Sequence, residues 1–353
     1  MVEYTIKDLL KAAVHNKASD LHITVKSQPV LRIAGTFKYF PGPALTPEDT
    51  EKMVRGILNA DQFAKLQKQG EVDICIQLGT NRFRVNAFSQ KGFYAAAIRT
   101  INSRIPDFHE LGLPEVVRGL CYKTRGLILV TGPTGSGKST TLASMINHIN
   151  QKRNAHIITL EDPIEYYHEH GKCIVNQREV GSDTRSFATA LRASLRQDPD
   201  VIQVGEMRDL ETISTAITAA ETGHLVMSTL HTIGAANTVD RMVDVFPSYQ
   251  QQQVRFQLSN VLQAVISQQL LPRKDGSGRC AALEVMLQHS SINALIREGK
   301  THQINNTIST NRGMGMKLMD DALADLVKTD MVTYDEAFMR CIDPVYFKRA
   351  TQG

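Results

Sequence analysis

The spacing of apolar residues changes about a hundred residues into the chain. Near the N-terminus, apolar residues recur at helical spacing behind Thr5, and a second helical stretch is predicted over 47–68. Other stretches alternate apolar with polar residues, at 21–25, 72–78, 83–87 and 93–101. Such alternation is typical of an antiparallel sheet with one covered face. We therefore predict a small α+β domain over 1–101.

Short, continuous apolar runs replace this alternation after residue 114, and helical stretches separate them. The runs are 126–130, 155–160, 201–204 and 225–230. Strands buried on both faces have this pattern, so the alternation with helices indicates a parallel, doubly wound sheet. Beyond Pro247 we predict mostly helix, with the apolar residues of 254–265 on one long helix. The α/β domain is assigned to 115–353, and 102–114, with its prolines and glycine, to a linker.

The composition is that of a globular protein, with 42% apolar and 22% charged residues in a chain of 353. The formal net charge of +4 is small, and without a dense Lys/Arg block it does not suggest a nucleic-acid partner. The five cysteines form no CxxC pair, so we expect no zinc site and a reducing, cytosolic setting. We predict neither a signal peptide nor a membrane-spanning helix.

A glycine-rich phosphate-binding loop follows the apolar run at 126–130 and precedes a helix predicted from Lys138 onward. Its residues are Gly132, Pro133, Thr134, Gly135, Ser136, Gly137, Lys138, Ser139 and Thr140. The glycines let backbone N–H groups surround a phosphate chain at a helix N-terminus. Lys138 can reach the terminal phosphates of ATP, and the Ser139 hydroxyl can ligate Mg²⁺. The spacing therefore predicts an ATP-binding site.

Two of the predicted strands end in acidic residues. The run 155–160 is followed by Glu161, and 201–204 is followed by Gly205 and Glu206. ATP hydrolysis needs a metal ligand and a group that activates water, and such groups lie at the carboxyl ends of parallel strands. We assign Glu206 as the first choice for general base. Glu161 is the alternative base, or it holds Mg²⁺ through a water molecule.

A third strand carries a histidine at each end, His224 and His231. An extended strand of this length keeps the two side chains too far apart to contact one phosphate. Because His231 lies at the carboxyl end, we predict that it senses the γ-phosphate. His224 is equally consistent with structural packing and with a role at a subunit boundary.

Several arginines are candidates for reaching a phosphate across a subunit interface. They are Arg82, Arg84, Arg99, Arg192 and Arg196. Arg82 and Arg84 flank Phe83 on a predicted strand, so their side chains share a face. A solvated basic surface accounts for any single one of them equally well, and the sequence does not rank them.

Four segments resemble, in order, the Walker A, Asp box, Walker B and His box of the type II/IV secretion ATPases. They are GPTGSGKSTTLASM, TLEDPIEY, LRQDPDVIQVGEMRD and GHLVMSTLHT. SDLHI at 19–23 and RFRVNAF at 82–88 resemble the N-terminal PAS-like domain of that family. INALIREGK at 292–300 resembles the signature helix of members that retract type IV pili. Extension and secretion members are typically longer and usually carry a tetracysteine zinc motif, which this chain lacks.

The resemblance implies a RecA-like P-loop ATPase domain, an N-terminal α+β PAS-like domain and a homohexamer that uses ATP and Mg²⁺. It assigns Arg82, Arg84 and Arg99 to contacts with the phosphates in the neighbouring subunit, and gives His224 a role beside His231. The ring would act on an inner-membrane pilus platform protein from the cytoplasmic side, powering pilin depolymerisation and twitching motility. One alternative is an accessory retraction ATPase, and another is an ATPase of pilus extension or of secretion. A RecA-like nucleic-acid translocase is a more distant alternative.

Overall fold

The protein divides into two compact units, Met1–Arg104 and Ile105–Gly353. The structure is a computed structural model that describes residues 4–33, 35–79, 81–101 and 104–352. The division lies within 102–114, whose role as a linker stays a prediction, and residues 102 and 103 of that segment lie outside the described residues.

The first unit is an antiparallel sheet with three helices, as far as the described residues show. The helices are α1 (Ile6–His15), α2 (Pro47–Arg55) and α3 (Ala60–Gln69). The strands are β1 (Asp20–Ile23), β2 (Val30–Ile33), β3 (Thr36–Tyr39), β4 (Glu71–Leu78), β5 (Asn81–Gln90) and β6 (Phe93–Ile101). Their order is β3-β2-β1-β6-β5-β4, and every neighbouring pair is antiparallel. The predicted antiparallel sheet is confirmed.

Local capping explains where the helices of this unit begin. The Thr5 hydroxyl accepts a hydrogen bond from the Asp8 N–H at 3.3 Å, and the Asp8 carboxylate accepts one from the Thr5 N–H at 2.9 Å. The helix predicted behind Thr5 is confirmed. The single helical stretch predicted over 47–68 is two helices, because the first ends at Arg55 and Asn59 caps a second one.

The second unit is a mostly parallel sheet with helices on both faces. Its strands are β7 (Gly126–Thr131), β8 (His156–Glu161), β9 (Ile174–Glu179), β10 (Val201–Val204), β11 (Leu225–Leu230), β12 (Leu262–Pro272) and β13 (Arg279–Leu287). Its helices begin with α4 (Glu115–Leu120), α5 (Lys138–Lys152), α6 (Phe187–Ser194), α7 (Leu210–Glu221), α8 (Ala235–Asp244) and α9 (Ser248–Val261). They continue with α10 (Ser290–Arg297), α11 (Ile304–Thr310), α12 (Met319–Lys328), α13 (Tyr334–Phe338) and α14 (Pro344–Gln352).

The strand order of this sheet is β13-β12-β7-β11-β10-β8-β9. All neighbouring pairs are parallel except β12 with β13. One hydrophobic cluster packs α6 to α11 against the sheet, and a second packs α4 and α5. Because both faces are covered, the strands are continuous apolar runs. The predicted α/β class is confirmed.

The long helix predicted through 254–265 is wrong in its second half. Helix α9 ends at Val261, and Leu262 begins β12, which pairs parallel with β7 and antiparallel with β13. A continuous apolar run that is buried on both faces fits helix and strand spacing equally well. The pairing with β7 and β13, which sequence spacing does not reveal, decides for the strand. The expectation of a mostly helical chain beyond Pro247 is corrected accordingly.

Among the described residues, no helix is both long enough and apolar enough to cross a lipid bilayer.

Candidate nucleotide-binding site

The phosphate-binding loop joins the fully buried strand β7 to helix α5. Glycine is required at both ends of it. At Gly132, with φ of 141°, a Cβ atom would lie 2.2 Å from the carbonyl oxygen of Gln268 on β12. Gly137, with φ of 89°, is the N-cap of α5 in the left-handed conformation. The loop therefore packs closely against β12, and this packing requires the backbone turn that the sequence predicts.

Lys138 lies at the first position of α5 and is buried. Its Nζ donates hydrogen bonds to the carbonyl oxygens of Gly132 at 2.8 Å and Pro133 at 3.0 Å. Burial lowers the pKa of Lys138, while the charges of Glu206 and Glu165 raise it. The ammonium group is thus held inside the loop, where a phosphate chain would lie.

A cavity of about 580 Å³ opens beside the loop at the carboxyl end of the parallel strands. Two predicted loop residues, Thr134 and Gly135, line it together with five further predicted site residues: Lys138, Ser139, Glu161, Glu206 and His231. These five come from α5 and from the ends of β8, β10 and β11, four elements far apart in sequence. The structure brings them together because neighbouring parallel strands end at the same edge of a sheet.

Glu206 follows β10, and His231 follows the adjacent strand β11. The Oε1 atom of Glu206 lies 3.1 Å from Nε2 of His231 and also pairs with Arg208. The hydroxyl of Thr229 donates to the carbonyl of Gly205 at 2.6 Å, which fixes the backbone between the two strand ends. A carboxylate and an imidazole are therefore positioned side by side in the cavity.

Glu161, at the end of β8, is a carboxylate of a different kind. Its Oε1 accepts hydrogen bonds from the hydroxyl of Thr159 at 2.6 Å and from Nε2 of Gln177 at 3.1 Å. Burial raises the pKa of Glu161, and these hydrogen bonds oppose the rise. Glu161 is thus fixed by neutral donors, whereas Glu206 contacts two groups that can carry positive charge.

His224 lies at the opposite end of β11 from His231 and does not line the cavity. Its Nδ1 is 3.0 Å from the carbonyl oxygen of Ala219 and 3.3 Å from the hydroxyl of Thr222, both near the end of α7. Within one chain, His224 therefore closes the α7–β11 connection.

Arg82, Arg84 and Arg99 all lie on the sheet of the first unit. Arg82 and Arg84 alternate with the buried Phe83, which confirms the predicted common face. Arg99 is paired with Arg84 in the β5–β6 register, and its Nε donates to Asp20 at 3.0 Å. The cavity beside the phosphate-binding loop is lined by residues of the second unit.

The other two arginine candidates, Arg192 and Arg196, belong to the second unit. Arg192 on α6 forms an ion pair with Glu211 of α7. Arg196 lies two residues beyond the end of α6 at Ser194.

Gln268 supports the phosphate-binding loop from outside the cavity lining, and sequence reasoning missed it. Its side-chain Nε2 donates to the carbonyl of Ser136 at 2.7 Å, and its Oε1 accepts from the hydroxyl of Thr141 at 2.7 Å. One buried amide therefore joins the loop to the first turn of α5. The sequence does contain a signal for it, since two successive glutamines interrupt an apolar stretch. That signal could be interpreted only once the stretch was known to be strand β12.

Residues 1–336 match the model of the type II/IV secretion system protein family. The chain belongs to this family. This similarity confirms the predicted fold class, and it agrees with the order of motifs around the cavity.

Individual relatives are similar over nearly the whole chain. The twitching motility protein of Neisseria gonorrhoeae is 46% identical, over 96% of this chain and 91% of the relative. The type IV pilus retraction ATPase PilT of Pseudomonas aeruginosa is 47% identical, over 94% of this chain and 96% of the relative. A crystal structure of the pilus retraction motor PilT with bound ADP superposes with a TM-score of 0.93, at 50% identity. That match covers 98% of this chain and 100% of the other.

Proposed function

We propose that this protein is an ATP-hydrolysing motor subunit that powers retraction of a type IV pilus. The observation that carries the proposal is the cavity in which the phosphate-binding loop, two carboxylates and a histidine meet. The full-length similarity to retraction motors, one of them solved with ADP, supports the same reading. The polar cavity is suited to a charged phosphate chain beside groups that can move a proton.

In this proposal the loop binds the phosphates of ATP through its backbone N–H groups and through Lys138. The Nζ of Lys138 exchanges its contacts with the carbonyls of Gly132 and Pro133 for contacts with phosphate oxygens. Since the loop is already folded around this ammonium group, little reorganisation accompanies binding.

Glu206 is proposed as the general base that accepts a proton from the attacking water. It is preferred over Glu161 because its Oε1 lies 3.1 Å from Nε2 of His231, an imidazole nitrogen to which an accepted proton can pass. His231 is proposed to contact the γ-phosphate and to report its presence to the loop that follows β11. His224 is proposed to close the α7–β11 connection, since it lies at the far end of the strand; a contact with the nucleotide of a neighbouring subunit is the alternative.

The oxygen donors of the cavity fit Mg²⁺, which prefers hard oxygen ligands and retains water. The Ser139 hydroxyl and the Glu161 carboxylate are the proposed holders, the latter through a water molecule. Bound Mg²⁺ would neutralise charge on the phosphates during transfer.

The assembly is proposed to be a homohexamer, with Arg82, Arg84 and Arg99 of one subunit reaching the phosphates held by its neighbour. The proposed partners are an inner-membrane pilus platform protein and, through it, the pilus machinery. No nucleic-acid partner and no zinc site are proposed. The proposed location is the cytoplasm, at the inner-membrane face of the pilus machine.

Steady-state hydrolysis of Mg-ATP by the purified protein tests the enzymatic part of the proposal. The parent should turn over many ATP molecules, and Glu206→Gln should lower kcat by about 10² to 10⁴-fold, as expected for loss of a general base. Asp200→Asn is the matched control, because Asp200 lies at the other end of β10 and accepts a hydrogen bond from the His156 N–H at 2.8 Å. Full turnover by Glu206→Gln would contradict the assignment.

A further inference from the structure

The loop between His231 and helix α8 is anchored by side chains of the neighbouring strands. The N–H of Gly234 donates to the hydroxyl of Ser267 on β12 at 3.0 Å. The N–H of Ala235, the first residue of α8, donates to Oε1 of Glu284 on β13 at 2.6 Å. Hence two backbone N–H groups that follow His231 closely are hydrogen-bonded to β12 and β13, the antiparallel strand pair at one edge of the sheet.

Glu284 also contacts a second helix. It is 2% exposed, and its Oε2 accepts a hydrogen bond from the N–H of Met319, the first residue of α12, at 3.2 Å. One buried carboxylate thus bridges the N-terminal ends of α8 and α12. The positive ends of the two helix dipoles favour its negative charge. Burial raises the pKa of Glu284, and the two backbone hydrogen bonds oppose that rise.

We propose that Glu284 is a positioning residue for ATP hydrolysis, which fixes the loop after β11 so that His231 stays beside Glu206. The inference rests on the proposed function, in which His231 and Glu206 act on ATP. It adds that the rate of ATP turnover depends on Glu284, a residue of β13 that does not line the nucleotide cavity. Through Met319, the same carboxylate connects that loop to the C-terminal helices.

Glu284→Gln is the most discriminating substitution. Glutamine keeps the size of the side chain but offers a single acceptor oxygen, and its NH₂ group faces the N–H of one of the two helix ends. We expect kcat to fall about tenfold, equivalent to about 1.4 kcal/mol, while KM for ATP changes less than about twofold. The reason is that the phosphate-binding loop, anchored by Gln268, is left intact.

Asp320→Asn is the matched control. Asp320 is also buried, and its two oxygens accept hydrogen bonds from the N–H groups of Ile342 and Asp343, each at 2.7 Å. The change removes the same charge and one of two backbone contacts, and both of its backbone partners lie between α13 and α14 rather than in the loop after β11. We expect a comparable loss of thermal stability, with kcat within about twofold of the parent. Equal losses of kcat in the two variants would overturn the inference.

A double-mutant cycle separates positioning from general destabilisation. If Glu284 acts through His231, Glu284→Gln should cost about tenfold in kcat in the parent and less than twofold in a His231→Ala background. An equal cost in both backgrounds would also overturn the inference. Undiminished turnover by Glu206→Gln and His231→Ala themselves would instead contradict the proposed function, so the two failures are distinguishable.

A second pair of variants tests the same loop should Glu284→Gln fail to fold. Ser267→Ala removes the acceptor for the Gly234 N–H, and Ser259→Ala removes an equally buried hydroxyl that donates to Phe256 within α9. Ser267→Ala should lower kcat by several-fold without raising KM, and Ser259→Ala should not. Identical kinetics for the two serine variants would count against the positioning role of this anchor.

Discussion

The two ends of the parallel sheet carry similar residue types in different environments. At the carboxyl end, Glu206 and His231 lie 3.1 Å apart and line the nucleotide cavity. At the amino end, Asp200 accepts a hydrogen bond from the backbone of His156, and His224 contacts the carbonyl of Ala219. An acid and a histidine can therefore take part in acid–base chemistry at one edge and have a structural role at the other. The reason is that the strand direction decides which edge faces the phosphate-binding loop.

The largest effect on ATP binding that separates the two ends is expected from the loop itself. Lys138→Ala removes an ammonium group from the carboxyl end, and the affinity for ATP should fall about 100-fold, since hydrogen bonds to charged groups are worth about 1.5–3 kcal/mol each. Titration with a fluorescent ATP analogue measures this. Asp200→Asn, at the amino end, should bind the analogue as the parent does. Unchanged binding by Lys138→Ala would contradict the assignment of the loop.

The two histidines give the next largest contrast. His231→Ala should lower kcat about tenfold, whereas His224→Ala should change it less than about threefold if its role is to close the α7–β11 connection. The comparison is made by steady-state hydrolysis at saturating ATP. A loss in His224→Ala as large as that in His231→Ala would show that the amino end of β11 also reaches a nucleotide, which in a ring requires a neighbouring subunit.

Mixed assemblies test whether the carboxyl end is completed from another chain. Arg84→Ala subunits mixed with Glu206→Gln subunits should regain a several-fold activity over either variant alone, since some sites then contain an intact arginine and an intact base. The control mixes Glu206→Gln with Lys138→Ala, two defects within one unit. Absence of rescue in the first mixture would remove Arg84 from the shared site.

The smallest expected effect concerns the pH dependence of stability. Because burial raises the pKa of Glu161, the folded state binds its proton more tightly than the unfolded state does. Its contribution to stability is present below its unfolded pKa and is lost as pH rises through the folded pKa. Urea unfolding of Glu161→Gln from pH 4 to 7 should show a shallower decline than the parent. An identical decline would show that Glu161 does not titrate in this way.

The site was predictable where a motif fixes both residue and position. The loop at 132–140 needs glycine at defined points, and the acids and His231 follow buried strands whose apolar runs mark their ends. Parallel pairing then brings these ends together, so their convergence follows from the fold class. Locating the strands was therefore enough to locate the cavity.

The supporting residues were not predictable in the same way. Gln268 and Glu284 lie on β12 and β13, and apolar spacing alone assigned the start of β12 to a helix. Their roles depend on tertiary neighbours, namely the Ser136 carbonyl for one and two helix ends for the other. A buried polar residue in an apolar run signals a hydrogen-bonded site, but the sequence does not identify the partner.

The most direct test of the central claim, that ATP hydrolysis at this cavity drives pilus retraction, is complementation of a piliated, retraction-defective bacterial strain. The account predicts that the parent chain restores surface motility and that Glu206→Gln, expressed at the same level, does not. Normal motility with Glu206→Gln, or none with the well-expressed parent, would contradict it. The second outcome would direct attention to an accessory or extension role.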